Sequence, residues 1–480
     1  MTAEAALSRI DPFPYQHRLS EVMTWPVECI EPDVTLAAAA AEMRRLNVSS
    51  LLAVDPGGRP VGLITERDIL NAIVEAGAAA LDLKVGTRMS SPVVSLPPDA
   101  FVFSALARMA QSGSRHLPVV DPVDGQALGI VTAGALLRLR AQRALALDGD
   151  IDTLSTAEDL GKVQARLPQI ATGLQKEGIG ARQIAAVISA VLRDISGRAA
   201  ELAAESLERE GKKAPARWCY LLLGSGGRGE SLLAADQDNA LIHDGAEDDD
   251  PWFAELGKRA SETLDKAGIP FCRGQVMAMN RNLRHNLKGW REEVAFWIQN
   301  PVPEALLNAD IFYDFQPVAG DFALAAALRD AVTGLGQDPG FVRALSGTSA
   351  RRGRALNIFG RFREQDGRAD LKRGGLLPIV SGGRVLALRL GVKVTATPDR
   401  WRAAVEAGMV RQEDFARIDD AHEMILELIL SQQIADLKGG RAPGSAVEVR
   451  RLLGLSRERL KQALRIVGEI DLILNHVLGP

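Results

Sequence analysis

The 480-residue sequence is poor in cysteine and histidine and has no marked excess of either charge. Its three cysteines, Cys29, Cys219 and Cys272, lie far apart and form no C-x-x-C pair, and its six histidines form no H-E-x-x-H. These absences argue against a disulfide scaffold and against zinc sites, and they fit a reducing, cytoplasmic setting. With 57 Lys+Arg against 61 Asp+Glu the formal net charge is -4. No global field therefore draws the chain to nucleic acid or to an anionic membrane, and any basic site must be local. No apolar run approaches the length of a membrane span, and the opening stretch MTAEAALSRIDPFPYQ lacks the basic start and apolar core of a signal peptide. The length leaves room for roughly two to four domains.

The first third contains one unit twice. Met23 matches Met89, Asp33 matches Asp99, Met43 matches Met109 and Asp55 matches Asp121, each pair 66 positions apart. One insertion then brings Gly62-Leu63-Ile64-Thr65 onto Gly129-Ile130-Val131-Thr132. Each copy reads as an entry segment, a helix with apolar residues at helical spacing, two short strands and a second helix. From Leu145 to Gly211 the pattern is helical, with Val163, Leu167, Ile170 and Leu174 on one face and Ile184, Val187, Ile188, Val191 and Leu192 on another. The expectation is a helical arm joining the repeat to the part of the chain that follows.

The stretch Trp218 to Asp244, WCYLLLGSGGRGESLLAADQDNALIHD, carries the chemistry. Tyr220 to Leu223 predict a buried strand, and Gly224-Ser225 a tight turn whose N–H groups, with Arg228, can face phosphates. Asp236 and Asp238 lead into a second strand from Ala240 to His243. Alternate residues on a strand share a face, so both carboxylates can meet the same divalent cation. Gly224, Gly226 and Gly229 also satisfy G-x-G-x-x-G, but only Glu230 to Ala235 separate them from the aspartates, which leaves no room for the crossover helix of a dinucleotide fold. Trp290 and Trp297 read as core, and Val276 to Ala278 as a further strand. Ile311 to Gln316 read as a strand carrying Asp314, with Asp310 as a competing acid. Between Arg343 and Arg373, nine basic residues face three acidic ones, either beside a bound anion or as a solvated face.

Trp218 to Asp244 resembles the DNA polymerase β-type nucleotidyltransferase superfamily, in the branch of the PII-protein uridylyltransferases and glutamine synthetase adenylyltransferases. The resemblance implies that Gly224 and Ser225 hold the nucleotide phosphates, that Arg228 assists, and that Asp236 and Asp238 bind Mg²⁺ or Mn²⁺. It further implies a third carboxylate, assigned to Asp314. Gln316 stands where those relatives often have arginine. Asp370, Lys372, Gly374 and Gly375 resemble a Lys-Gly-Gly segment after the transferase core, which makes Lys372 a candidate for the nucleotide. The resemblance also implies a nucleoside triphosphate substrate and a protein acceptor such as a PII-like regulator. The repeats resemble CBS domains, pairs of which form a Bateman module. Thr65 and Asp68 in GLITERDI match the ribose-binding ending of that family, whereas the second copy has Ala135 in place of the aspartate. Arg115 and His116 would meet the phosphates of an adenine nucleotide, so one nucleotide position per pair is implied. A dimerisation plate without ligand is the alternative.

The whole chain thus resembles the bacterial family in which a CBS pair precedes a nucleotidyltransferase and a C-terminal helical domain. The implied fold is α/β multidomain: an extension over 1–20, a tandem CBS pair over 21–76 and 86–140, and a helical connector over 141–214. A transferase core with a mixed sheet comes next over 215–336, then a helical substrate-binding domain over 337–480. A homodimer through the CBS pair is expected, and a non-catalytic nucleotide sensor stays open as the rival function.

Overall fold

The computed structural model describes residues 17–46, 48–136, 151–351, 355–357 and 359–479. Residues 1–16 of the proposed extension over 1–20, the start of the expected arm at 145–150, and Arg352 and Arg354 of the basic tract lie outside these. The chain divides into two compact units after Arg143.

In the first unit, β1 (Cys29–Ile30), α1 (Leu36–Leu46), β2 (Ser50–Val54), β3 (Pro60–Thr65) and α2 (Glu66–Ala76) form the first copy. The second copy supplies α3 (Val102–Ser112), β4 (His116–Val120) and β5 (Ala127–Thr132). Strands β2 and β3 pair antiparallel, as do β4 and β5, with a register shift in each near the same point. Each copy has its own core, one around Leu36, Leu51 and Ile64, the other around Val102, Leu117 and Val131. The entry segments are exchanged: Thr24 bridges Ile130 of the second copy, while Ser90 bridges Leu63 of the first. This exchange explains why glycine and methionine recur in the repeat. A Cβ on Gly62 would lie 2.2 Å from Met89 Sδ, and one on Gly129 would lie 2.7 Å from Met23 Sδ, so each glycine makes room for the other copy's methionine.

The second unit begins with α4 (Ala157–Lys176) and α5 (Ala181–Arg209). Its sheet has the order β8-β7-β6-β9, from β6 (Trp218–Leu222), β7 (Asn239–His243), β8 (Arg284–Asn286) and β9 (Gln316–Gly320). Strand β6 runs antiparallel to β7 and β9, and β7 runs parallel to β8. The sheet is mixed, and the antiparallel β6–β7 pair leaves no βαβ unit at the glycines. Helices α6 (Asp250–Lys266), α7 (Leu287–Gln299), α8 (Pro303–Phe312) and α9 (Phe322–Leu335) flank it. The helical remainder comprises α10 (Pro339–Arg351), α11 (Leu377–Leu390), α12 (Thr397–Glu406), α13 (Gln412–Lys438) and α14 (Gly454–Leu478). One continuous core runs from β6 through Trp290, Trp297 and Phe312 to Ile425 and Leu464 in these last helices.

Three expectations are corrected. The helices of the expected arm are part of this unit: α5 buries Ile184, Ile188, Val191, Ile195 and Ala199, and its Ala200, Ala203 and Leu207 share a core with Tyr220 and Leu241 of the sheet. Val276 to Ala278 form no strand. The Asn239 backbone N–H donates to the Val276 carbonyl at 3.0 Å and the Ala278 N–H to Asn239 Oδ1 at 2.7 Å, so a side chain does the work of a ladder. Ile311 and Phe312 end a helix instead of opening a strand, because Ala305, Leu306, Ala309 and Phe312 bury one helical stripe, and β9 starts only at Gln316.

Candidate active site

The turn after β6 is tighter than a loop. Gly224 takes φ +53° and starts a single helical turn through Arg228, which ends in Gly229 at φ +75°. The Gly227 N–H donates to the Leu223 carbonyl at 2.9 Å, and the Glu230 N–H to the Ser225 carbonyl at 2.9 Å. A Cβ on Gly224 would sit 2.6 Å from Asp238 Oδ2, and one on Gly227 would sit 2.0 Å from the Asp314 carbonyl oxygen. The glycines are therefore required by close approach as well as by φ. Ser225 Oγ and Ser231 Oγ lie 3.1 Å apart, and the Ser231 N–H donates to Ser189 Oγ of α5 at 2.7 Å.

Asp236 and Asp238 share one side of the extended chain entering β7, while the residues between and after them are tied inward. Gln237 Nε2 donates to the carbonyls of Ser261 and Ile269, both at 2.9 Å. Asp236 is exposed and Asp238 half-buried. Their carboxylates and the Cys272 sulfur offer three ligand atoms within 4.8 Å of one another. Burial pushes the Asp238 carboxyl up to about 7, with the Asp236 charge adding to the rise, while Cys272, Lys372 and Arg228 pull the other way. Lys372 is exposed and opens a π-helical turn, Lys372–Leu376, in which Gly374 and Gly375 are buried. Gly224, Ser225, Asp236, Asp238 and Lys372 therefore belong to one neighbourhood. Cys272 had no signal in the sequence, and burial followed by the Asp238 charge raises its thiol to about 12.

Two expected residues point elsewhere. Asp314 is fully buried and its carboxylate is taken by three guanidiniums. Arg400 donates to Oδ1 at 2.6 Å, Arg384 to Oδ1 at 3.1 Å and also to Oδ2, and Arg228 to Oδ2. Burial alone would raise this carboxyl, but the Arg384, Arg400 and Arg228 charges hold it far below the ordinary range. Its oxygens are not among those that converge with Asp236 and Asp238. Asp314 is thus the counterion of a buried arginine cluster, with no oxygen left for a cation. Arg228, expected to face phosphates, is turned inward, with Nε on Glu230 at 2.7 Å and NH1 on Asp314. The competing acid Asp310 is also buried, on Arg384 and Ser381. Glu230 in turn accepts from the Thr397 N–H at 2.7 Å and Thr397 Oγ1 at 3.0 Å, and Gln316 Nε2 donates to Thr395 Oγ1 at 3.1 Å.

In the first unit Thr65, Asp68, Arg115 and His116 line one cavity of about 420 Å³, with Ser49, Ser90 and Ser114. Asp68 Oδ2 accepts from the Thr65 N–H at 2.9 Å and Thr65 Oγ1 at 2.7 Å, capping α2. Burial, then the Arg115 charge, lowers the His116 imidazole, against a smaller pull from Asp68.

Comparisons with known proteins agree with this layout. The family described as "Putative nucleotidyltransferase DUF294" matches residues 165–304, "Putative nucleotidyltransferase substrate binding domain" matches 339–477, and "CBS domain" matches 19–75 and 82–142. An uncharacterized 17.7 kDa protein of Acidianus ambivalens is 38% identical over 25% of this chain and 71% of its own length. A CBS domain-containing protein of Bacillus subtilis is 32% identical over 25% of this chain and 81% of its own. The chain spans about half, 55%, of a Methanopyrus kandleri relative that is 33% identical over 22% of this chain. Among solved structures, a CBS-domain containing protein from Agrobacterium tumefaciens is 25% identical, covering 26% of this chain and 98% of that one, with a TM-score of 0.24. Among the described residues no helix is long and apolar enough to cross a membrane. The chain belongs to the family in which a CBS pair precedes a DUF294 nucleotidyltransferase domain and its substrate-binding domain.

Proposed function

We propose that the second unit is a Mg²⁺- or Mn²⁺-dependent nucleotidyltransferase of the uridylyltransferase or adenylyltransferase kind, acting on a protein acceptor and regulated by an adenine nucleotide in the CBS cavity. One observation carries this reading: Asp236 and Asp238 meet beside a glycine turn, with Lys372 near enough to draw down the Asp238 carboxyl. Magnesium is held by one or two carboxylates and takes its other ligands from phosphates and water, so the two aspartates fit it. The high Asp238 value also fits, since a cation would offset the burial, and with it the Asp236 charge, that now favours a proton. When bound, the cation neutralises charge on the triphosphate and on the departing pyrophosphate. The acceptor oxygen bonds to the α-phosphorus, the bond to the bridging oxygen breaks, and the hydroxyl proton passes to solvent. Gly224 leaves Asp238 its space, Gly224 and Ser225 seat phosphates, and Lys372 pairs with triphosphate charge. In the first unit Asp68 would hold a ribose hydroxyl, with Arg115 and His116 on phosphate. Ile73, Val74, Phe103 and Leu106, exposed on its helices, support a homodimer through the CBS pair.

The engagement of Asp314 favours a second reading, a core that binds nucleotide without turnover, because only two carboxylates remain for metal. Incubating the purified chain with each labelled nucleoside triphosphate and Mg²⁺ in its own cell extract separates the two. A labelled protein that disappears with Asp236→Asn supports transfer. Mg²⁺-dependent binding without label or pyrophosphate release supports the second reading, and neither binding nor label defeats both.

A further inference from the structure

At the far end of β7 from Asp238 is a cavity of about 320 Å³ that the proposed chemistry leaves unused. Strands β7 and β8, the loop before α6 and the first turns of α7 wall it, with His243, Glu247, His285, Glu292, Glu293 and Phe296 in the lining. Its size is that of a small-ligand pocket.

His243 is 3% exposed and its ring stacks on Phe253 at 4.0 Å, yet its Nδ1 has no hydrogen-bond partner. His285 Nε2 is likewise buried and without a partner. Burial pushes both imidazoles down to about 4, which outweighs the Asp250 charge on His243, so both rings are neutral; His243 Nδ1 can accept a hydrogen bond, whereas His285 Nδ1 already accepts from Arg281 at 3.0 Å, which leaves its Nε2–H a donor.

The cations around the cavity are already committed. Arg284 holds Asp250 through Nε at 2.8 Å and NH2 at 2.9 Å, and Arg281 donates to the Arg284 carbonyl at 2.7 Å. The carboxylates are less so. Glu247 is exposed, and the nearest cation to Glu292 is Lys288 at 3.7 Å, one turn back on the same helix. Glu293 accepts from Trp297, and burial raises its carboxyl against the smaller pulls of that bond and of the Arg281 charge. What remains unfilled is thus mainly acceptors: three carboxylates and the neutral His243 ring, with Phe296 as an apolar edge. A bare metal ion is a poor match, because no three ligand atoms here converge as those of Asp236, Asp238 and Cys272 do among the described residues.

We propose that this cavity binds a small organic cation, a primary amine or guanidinium on a short aliphatic chain. The nitrogen donates to the carboxylates and to His243 Nδ1, and the methylenes lie against Phe296.

Titration calorimetry of the full chain with putrescine and agmatine tests this, with 1,4-butanediol and glutarate as neutral and anionic controls of similar length. One amine per chain should bind and neither control should. The double variant Glu247→Gln/Glu293→Gln should weaken binding by about tenfold or more, the loss expected of two charge-assisted contacts, and added salt should weaken it in the native chain. Asp236→Asn should bind the amine as the native chain does, which separates this site from the transferase reading. Equal affinity in the double variant, equal binding of butanediol, or no heat from either amine would overturn the proposal.

Discussion

Asp238 and Asp314 are both aspartates set in or near the same turn, and their surroundings drive them in opposite directions. For Asp238 the folded carboxyl lies at about 7, above its unfolded value, so the native state holds more protons between about pH 4 and 7. That contribution to stability is present below the unfolded value and is lost as pH rises through 7. Without divalent metal, Asp238→Asn should therefore melt at the same point as the native chain near pH 4 and be more stable by about 1–3 kcal/mol at pH 8, allowing for partial solvent access. Thermal melts in chelator across that range would measure it; a variant that is less stable at pH 8 would contradict the strained-carboxylate account. Asp314 has the reverse sign, since its folded value is depressed and its stability is present at neutral pH. Removing its charge leaves Arg228, Arg384 and Arg400 short of a buried counterion, so Asp314→Asn should cost about 3–5 kcal/mol in urea denaturation, whereas exposed Asp236→Asn should change it by about 0.5 kcal/mol or less. Both aspartates were legible in the sequence as chemistry-bearing residues, but the role of Asp314 was not. The difference lies in Arg384 and Arg400, 70 and 86 positions downstream of Asp314, which no local motif links to it.

Elements were legible where their signal was long or local, and misread where it was short. Strand β6, the glycine turn and the entry to β7 follow from an unbroken row of apolar and turn residues. The repeat was legible because its glycines and methionines contact each other across the copies. Ile311 to Gln316 were misread because a short apolar run satisfies both strand and helix spacing, and packing against Trp290 and Trp297 decides for the helix. The glycine turn yields a prediction at this scale. Gly229→Ala meets no atom within 4 Å and bears only left-handed strain, about 1–2 kcal/mol. Gly224→Ala adds a Cβ on Asp238 Oδ2 and should also weaken divalent-cation binding by about tenfold or more. Metal titration of the two variants, with melts alongside, distinguishes them; equal cation affinity in both would mean that the close approach to Asp238 is idle.

For the whole molecule, the arm that the sequence suggested turns out to be structural support. A fragment starting at Ala214 would strip α5 from beneath β6 and β9, exposing Tyr220, Leu241 and Ala319. Such a fragment should bind a hydrophobic dye and lack a cooperative melt, whereas one starting at Ile151 should unfold in a single transition; a cooperative melt of the shorter piece would show the helices to be dispensable. The arginine cluster also bears on the order of synthesis. Asp314 emerges from the ribosome well before Arg384 and Arg400, so during translation the turn around it holds a carboxylate two of whose three partners do not yet exist, with Arg228 alone available to it. The second unit cannot settle into its final arrangement until α11 and α12 have left the exit tunnel. Although two family domains are matched along this stretch, the nascent chain must complete both as one folding event.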